Sequence, residues 1–195
     1  MSTTIWIVLL AAVFVLGALL AWFVLTRRRR DHLRDRFGPE YDRVVRASGK
    51  PSIAEKELER REDRVEQLDI RPLPAEERLR FTESWRDVQT RFVDEPARSV
   101  HEADELVERV MERRGYPVGS FEQQLDDVSV DHPHVISNYR AAHAIATASQ
   151  GGRASTEDLR QAMVHYRALF EDLLESGYVE DGDHRERKHE RTTTA

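Results

Sequence analysis

An uninterrupted apolar segment near the start of the chain constrains its fold more than any other feature. The segment begins at Ile5, ends at Leu25, and contains 21 residues without a charged side chain. A helix of this length extends about 31 Å, close to the ~30 Å hydrocarbon core of a bilayer. Trp6 and Trp22 stand near its two ends, where aromatic rings favour the membrane interfaces. The segment therefore predicts a transmembrane helix over residues 5–25.

Two other interpretations of this segment have weaker support. A cleaved secretory signal, which would make the protein secreted or periplasmic, needs a basic start, a shorter apolar core and a small-residue cleavage site. The segment has none of these features. A buried helix of a soluble core is rarely so uniformly apolar. Within the span, Gly17 and Ala21 form a small-residue pair that could pack against another helix, so self-association is a further hypothesis.

A basic collar, Arg27, Arg28, Arg29 and Arg30, follows the apolar segment directly. Basic residues concentrate on the cytoplasmic side of a membrane helix, and none precedes this one. The collar therefore predicts an outside N-terminus and a cytoplasmic C-terminal domain. The same arginines can attract anionic lipid headgroups.

The charge of the remaining chain narrows the classes of partner. The protein has 30 basic and 36 acidic residues, and the first 30 positions hold four of the basic and none of the acidic ones. The part from Asp31 onward therefore has a net charge of −10. Nucleic acid requires a basic face, so we expect no nucleic-acid partner. The sequence contains no cysteine, which excludes disulfides, thiolate catalysis and cysteine metal sites.

Helical patterning without a strand pattern predicts an all-α fold for the rest of the chain. We expect a collar and juxtamembrane linker or helix over 26–51, with a break at Gly38 and Pro39. A charged amphipathic arm follows over 52–68, where Arg61 stands in an otherwise apolar stripe. The pattern then predicts a helical bundle over 75–176 and a disordered polar tail over 177–195.

Two stripes of large apolar residues dominate the predicted bundle. One is aromatic and lies near its start, and the other is the broadest in the domain and marks the central helix. Their spacing of three and four residues is typical of a buried helix face, and an exposed partner groove is the alternative. The stripes contain Phe81, Trp85, Val88 and Phe92, and Tyr166, Leu169, Phe170 and Leu173.

The segment between the two stripes carries local helix signals. Ser120 and Gln123 predict a capping box for a short helix over 120–127, followed by a connector at 128–130. Asp131 then predicts the cap of the next helix, with Pro133 in its first turn. Ser155 and Asp158 predict the cap of the last helix.

Candidate chemistry is confined to a few histidines. Asp131, His132, Pro133 and His134 bring two imidazoles and a carboxylate together, although their spacing matches no standard zinc site. His101 on a predicted helix is a candidate for phosphotransfer. We find no glycine-rich phosphate loop and no hydrolase or metalloprotease motif. We therefore expect no metal and no cofactor, and no residue stands out as catalytic.

Several phrases resemble an uncharacterised family of bacterial membrane-anchored helical proteins. They are RFGPEYDR at 36–43, RFVDEP at 91–96, VMERRGYP at 110–117, SVDHP at 129–133 and HYRALFEDLL at 165–174. The resemblance covers most of the chain after the apolar segment. It implies a bacterial protein and a linear order of helices. The family has no established activity, so the resemblance assigns no functional residue.

These features lead to two hypotheses of function. The first is a non-enzymatic interaction or scaffold module, held in a bacterial plasma membrane and bound to an unknown protein partner or to itself. The second is a phosphotransfer or metal-dependent enzyme module that uses His101 or the Asp131–His134 cluster.

Overall fold

The computed structural model describes the backbone of residues 3–176, and the side chains of that range except at 3–9 and 11–13. The predicted disordered tail, 177–195, lies outside the described residues. Within them the chain forms eight α-helices and no strand, which confirms the all-α prediction. The helices are α1 (Thr3–Phe37), α2 (Pro39–Ser48), α3 (Pro51–Glu66), α4 (Ala75–Arg91), α5 (Pro96–Arg114), α6 (Phe121–Asp131), α7 (Ile136–Gln150) and α8 (Thr156–Glu175).

The chain divides into two compact units, Met1–Glu59 and Arg60–Ala195. The boundary lies inside α3, whereas the sequence predicts an arm over 52–68 and a bundle that begins at residue 75. Two arginine–aspartate ion pairs connect the last part of α3 to the second unit. Arg61 Nη2 lies 2.7 Å from Asp126 Oδ1, and Arg64 Nε lies 2.6 Å from Asp127 Oδ1. These ion pairs attach the end of α3 to α6 in the second unit.

The first unit consists of α1, α2 and the first part of α3. Helix α1 continues through the basic collar, because the chain contains no helix breaker between Gly17 and Gly38. Gly38 has a φ of 48° and Pro39 opens α2, so the predicted break is confirmed. A small apolar core forms where the three helices meet, and it contains Leu33, Phe37, Tyr41, Val44, Ala54 and Leu58.

Over the part of the chain that the structure describes, no helix combines the length and the apolar character needed to cross a membrane. The structure therefore does not confirm the predicted span over 5–25. Ile5 and Trp6 lie outside the residues whose side chains are described. Gly17, Ala21, Trp22 and Leu25 lie on α1 and are exposed.

The second unit is a helical bundle. Helix α8 packs against α5 and α7, α4 packs against α5, and α6 packs against α7. Helices α5, α7 and α8 all contact one another, so these three helices together form the centre of the bundle. Helix α8 is one of them and not the single central helix that its broad apolar stripe predicts. Its N-terminus carries the predicted capping box of Ser155 and Asp158, whose side chains and backbone amides bond reciprocally.

The segment between α5 and α7 differs from its prediction. Ser120 accepts a hydrogen bond from the Gln123 amide, as expected, but α6 then continues to Asp131 through the predicted connector at 128–130. Val128 and Val130 are buried, so core packing extends the helix. Asp131 does not cap α7, which begins only at Ile136. Its carboxylate instead accepts a 2.9 Å hydrogen bond from the Tyr116 hydroxyl.

The C-terminal end of α5 is fixed by a close backbone approach. Gly115 ends the helix with a φ of 103°, and a Cβ at this position would lie 2.4 Å from the carbonyl oxygen of Asp69. The Arg71 amide donates a 2.8 Å hydrogen bond to the carbonyl of Arg114. Glycine is therefore required both by the left-handed conformation and by the approach of the 67–74 segment.

Candidate functional site

An open groove lies between α4 and α8, and we call it the α4–α8 groove. It has a volume of about 420 Å³. Trp85 and Phe170 form part of its lining and stack on each other, with ring centroids 4.7 Å apart. Leu79 also lines the groove and is 66% exposed. The remaining lining residues are Ala75, Arg78, Thr82, Glu171, Leu174 and Glu175.

The two predicted apolar stripes take different positions in relation to this groove. Tyr166, Leu169 and Leu173 are buried in the bundle core together with Val88. Phe81 and Phe92 are partly buried at the edge of the core. Trp85 and Phe170 are also buried, but they line the groove. Most residues of the two stripes therefore pack in the core, and the Trp85–Phe170 pair also lines the α4–α8 groove.

A smaller groove of about 190 Å³ lies farther along the same two helices. Its lining includes Gln89 of α4, Phe92 directly after α4, and Met163, Val164 and Arg167 of α8. Val164 is exposed. Arg167 Nε lies 2.7 Å from Glu171 Oε1, so an ion pair on α8 lies between the two grooves. The α4–α8 surface therefore presents two depressions, and both have apolar and charged side chains in their lining.

The second candidate is a cluster of buried polar groups at the C-terminal end of α8, and we call it the Asp172 cluster. The predicted histidine pair belongs to it, because Asp172 contacts both rings. His132 is 1% exposed, and its Nδ1 is hydrogen-bonded to Asp172 Oδ2. His134 is 65% exposed, and its Nε2 lies 2.7 Å from Asp172 Oδ1.

Arg114 completes the Asp172 cluster from the end of α5. Its Nη1 donates a 2.7 Å hydrogen bond to the Leu173 carbonyl and another to the Ser176 hydroxyl. Carbonyls in the last turn of a helix lack an intrahelical donor, and a cation is favoured there. The buried Arg114 therefore acts as a cap for the C-terminus of α8.

The geometry of the Asp172 cluster favours structure over catalysis. Burial alone would raise the pKa of Asp172, but hydrogen bonds and charge attraction from His132 and His134 hold it below its ordinary value of 3.8. The other ring nitrogen of His132, Nε2, is hydrogen-bonded to Arg114 Nη1 at 3.4 Å, and Arg114 is a donor and not a nucleophile. Among the described residues no group of three or more histidines and carboxylates is placed to hold a metal ion.

A third polar group lies where α5, α7 and α8 meet, and we call it the Asp104 cluster. His143 Nδ1 lies 3.8 Å from Asp104 Oδ2, and the His143 ring stacks on Phe121 with centroids 3.5 Å apart. The buried Tyr166 hydroxyl faces Asp104 but falls short of a well-formed hydrogen bond. Asp104 Oδ1, His143 Nδ1 and Tyr166 Oη are buried without a hydrogen-bond partner among the described residues.

This environment changes the acidity of Asp104. Its side chain is 16% exposed, and burial raises its pKa above the ordinary value, although the Tyr166 hydroxyl and the nearby histidines act in the opposite direction. Burial also raises the pKa of Glu108, one turn farther along α5, and the charge of Asp104 adds to the effect. The Asp104 cluster is therefore a carboxylate site whose charge is poorly compensated.

The other sequence candidates lie apart from these clusters or remain on the surface. His101 is 62% exposed, and its Nε2 lies 3.3 Å from Glu105 Oε1 on the same helix. In the first unit, Arg29 forms an ion pair with Glu59, and Arg30 Nε lies 2.7 Å from Glu55 Oε1.

Sequence reasoning missed Asp172, Arg114 and Asp104. Asp172 is 40 positions from His132, and the Arg114 side chain bonds a carbonyl 59 positions away, so no local spacing reveals either contact. Asp104 stands among many helical acids of similar appearance. The basic end of α5 signals a helix terminus, but it does not show that one of its arginines is buried.

Comparison with known proteins gives no match. No family model, no curated protein and no solved structure is detectably similar to the chain. The family resemblance of the sequence phrases therefore stays a prediction.

Proposed function

We propose that the protein is a membrane-anchored, non-enzymatic interaction module. Its helical bundle binds an amphipathic segment of a partner protein in the α4–α8 groove. The observation that carries the proposal is the stacked Trp85–Phe170 pair beside the exposed Leu79 in an open groove of about 420 Å³. Large apolar side chains in such a groove are typical of surfaces that receive an apolar helix face.

Three charged side chains line the groove, and two of them are acidic, Glu171 and Glu175 beside Arg78, which favours a partner segment with basic residues. Glu171 and Glu175 both line it from α8, and the second makes no ion pair with the described residues. An amphipathic helix with apolar residues toward Trp85 and a lysine or arginine toward Glu175 would match both features.

The membrane anchor is the second part of the proposal, and its support is in the sequence. The 21 residues from Ile5 to Leu25 contain no charged side chain, and the described large apolar residues of this segment are exposed on α1. A continuous run of exposed apolar side chains marks a surface that contacts lipid or another protein, and the length of this run favours lipid. The collar arginines favour an outside N-terminus and a bundle on the cytoplasmic side of a bacterial plasma membrane.

Site-specific photocrosslinking in native membranes tests the groove. A photoreactive residue at Leu174, inside the groove, should give one discrete protein adduct in the full-length chain. Leu79→Glu should abolish that adduct, because it places a charge among apolar groups. Val118→Glu should leave it intact, since Val118 is as exposed as Leu79, at 66%, and does not line either groove described above.

The outcomes separate the possible occupants. An adduct with a second copy of the chain would replace the partner hypothesis with self-association. An adduct that survives Leu79→Glu, or is lost equally with Val118→Glu, would show that the groove is not the binding surface. The hypothesis of a phosphotransfer or metal-dependent enzyme stays a prediction, and neither histidine site offers a geometric feature that favours it.

A further inference from the structure

The four collar arginines have different surroundings in the first unit. Arg29 forms an ion pair with Glu59, and Arg30 is hydrogen-bonded to Glu55 at 2.7 Å. The hydrogen bond and the charge of Glu55 raise the pKa of Arg30. Arg27 and Arg28 are exposed, and neither makes an ion pair or hydrogen bond with the residues that the structure describes. Arg29 and Arg30 are therefore paired with acidic residues, whereas the charges of Arg27 and Arg28 are not paired within the described residues.

The two pairs lie on roughly opposite faces of α1. Successive residues of an α-helix are rotated by about 100° around its axis. Arg29 and Arg30 are therefore rotated by about 200° from Arg27 and Arg28, which places the two pairs on nearly opposite sides. The buried Leu33 and Phe37 follow on the side of Arg29 and Arg30. That side contains the buried core residues of the unit, although the side chains of Arg29 and Arg30 are themselves 63% and 47% exposed. Arg27 and Arg28 lie on the opposite, outward face.

Glu55 of α3 contacts both α1 and α2. Glu55 accepts a 3.1 Å hydrogen bond from the Tyr41 hydroxyl in addition to its contact with Arg30. Arg34 lies over the Tyr41 ring, 5.4 Å from its centroid. Arg30 therefore belongs to a network that joins α1, α2 and α3, and the ion pair of Arg29 with Glu59 is a separate link between α1 and α3.

We propose that Arg27 and Arg28 form a binding site for the phosphate group of an anionic phospholipid. This inference rests on the proposed membrane anchor. Each bilayer headgroup layer is about 5–7 Å thick, and Arg27 and Arg28 lie about 3 and 4.5 Å beyond Leu25 along the helix axis. Asp31, the acid nearest to them on that face, lies about 9 Å beyond Leu25, outside this layer. The outward face therefore presents two positive charges at headgroup depth.

The experiment uses the full-length chain reconstituted in bilayers of equal parts phosphatidylcholine and phosphatidylglycerol. Native mass spectrometry after mild extraction measures the ratio of the two lipids retained by the protein. Each arginine near an anionic surface should favour phosphatidylglycerol by roughly fivefold. Arg27→Gln/Arg28→Gln should reduce the ratio to about that of the bulk bilayer and leave the helix content unchanged.

Arg29→Gln/Arg30→Gln is the matched control, since it removes the same charge from neighbouring positions. It should keep the phosphatidylglycerol preference and lower the thermal stability of the first unit. Equal loss of preference in the two double variants would overturn the inference, and so would an unchanged preference in Arg27→Gln/Arg28→Gln. Displacement of the bound lipid by inorganic phosphate would overturn the assignment to a lipid headgroup.

Failure of the anchor is distinguishable from failure of the headgroup site. A chain that alkaline carbonate releases from the bilayer would refute the proposed anchor and the inference together. A chain that stays in the membrane without any preference for phosphatidylglycerol would refute the headgroup site alone.

Discussion

Asp172 and Asp104 are both partly buried on helices of the same bundle, yet their surroundings act on them in opposite directions. Both Asp172 oxygens have histidine partners, and its pKa lies below the ordinary value. Asp104 has a histidine at 3.8 Å and one oxygen without a hydrogen-bond partner in the described part of the chain, and its pKa lies above the ordinary value. Burial penalises both charges, so the number of well-placed donors decides whether the carboxylate stabilises the fold.

The two clusters also differ in how many of their polar groups are hydrogen-bonded within the fold. The Asp172 cluster joins α8 to the loop after α6 and, through Arg114, to α5, so its polar groups serve the fold. The Asp104 cluster joins α5, α7 and α8, but three of its polar atoms have no hydrogen-bond partner among the residues that the structure describes. Carboxylates with poorly compensated charge are frequent at functional sites, and the Asp104 cluster has this property whereas the Asp172 cluster does not.

The largest expected effect is at Asp172. Asp172→Asn removes the charge that both histidines contact and leaves the buried His132 without its anionic partner. We expect a loss of about 2–3 kcal/mol in the free energy of unfolding. Urea denaturation of the full-length chain in detergent, followed by near-UV circular dichroism, measures it. A loss below about 0.5 kcal/mol would contradict the proposed structural role of the cluster.

The second effect has the opposite sign. Asp104→Asn keeps the shape of the side chain and removes a poorly compensated charge from a partly buried site. We expect the free energy of unfolding at neutral pH to rise by about 1 kcal/mol. Glu105→Gln is the control, because Glu105 is an exposed acid on the same helix, and it should change stability by less than about 0.5 kcal/mol. Destabilisation by Asp104→Asn would show that the charge of Asp104 is compensated after all.

The pH dependence of these two variants sharpens the comparison. The pKa of Asp172 is lowered by folding, so its contribution is present above 3.8 and is lost as the pH falls through the folded value. The pKa of Asp104 is raised, so its contribution is present below 3.8 and is lost as the pH rises through the folded value.

On acidification, the stability of wild type should therefore fall relative to Asp172→Asn and rise relative to Asp104→Asn. The advantage of wild type over Asp172→Asn should shrink on acidification below pH 3.8, and the advantage of Asp104→Asn over wild type should shrink between neutral pH and pH 3.8. Denaturation series over this range check both differences. Parallel curves would mean that the two carboxylates share one kind of environment.

The smallest expected effect is at His134. Its ring contacts Asp172 from an exposed position, and exposed pairs of this kind contribute about 0–1 kcal/mol. His134→Ala should lower the free energy of unfolding by less than about 0.5 kcal/mol, whereas His132→Ala should cost about 2 kcal/mol or more, because His132 is buried. Similar losses in the two variants would remove the distinction between the buried and the exposed partner.

The periodic helices of the bundle could be predicted from the sequence, and its polar clusters could not. The apolar stripe of α8 predicts both a helix and the burial of one of its faces in the core, because burial requires apolar residues on one face at a period of 3.6. Capping residues such as Ser120 and Ser155 predict helix starts through local hydrogen bonds. The connector at 128–130 was predicted wrongly, because core packing of Val128 and Val130 extends α6 beyond its local signals.

The sequence alone determined the helical class, the order of the elements, the apolar segment with its four arginines and the acidic balance of the remaining chain. These properties follow from neighbours within a few positions or from composition, which the chain carries before it folds. Tertiary structure decided which arginines are paired, which carboxylates are compensated and where Trp85 and Phe170 form a groove. Each of these depends on side chains distant in sequence, whose distances are set only when the helices pack.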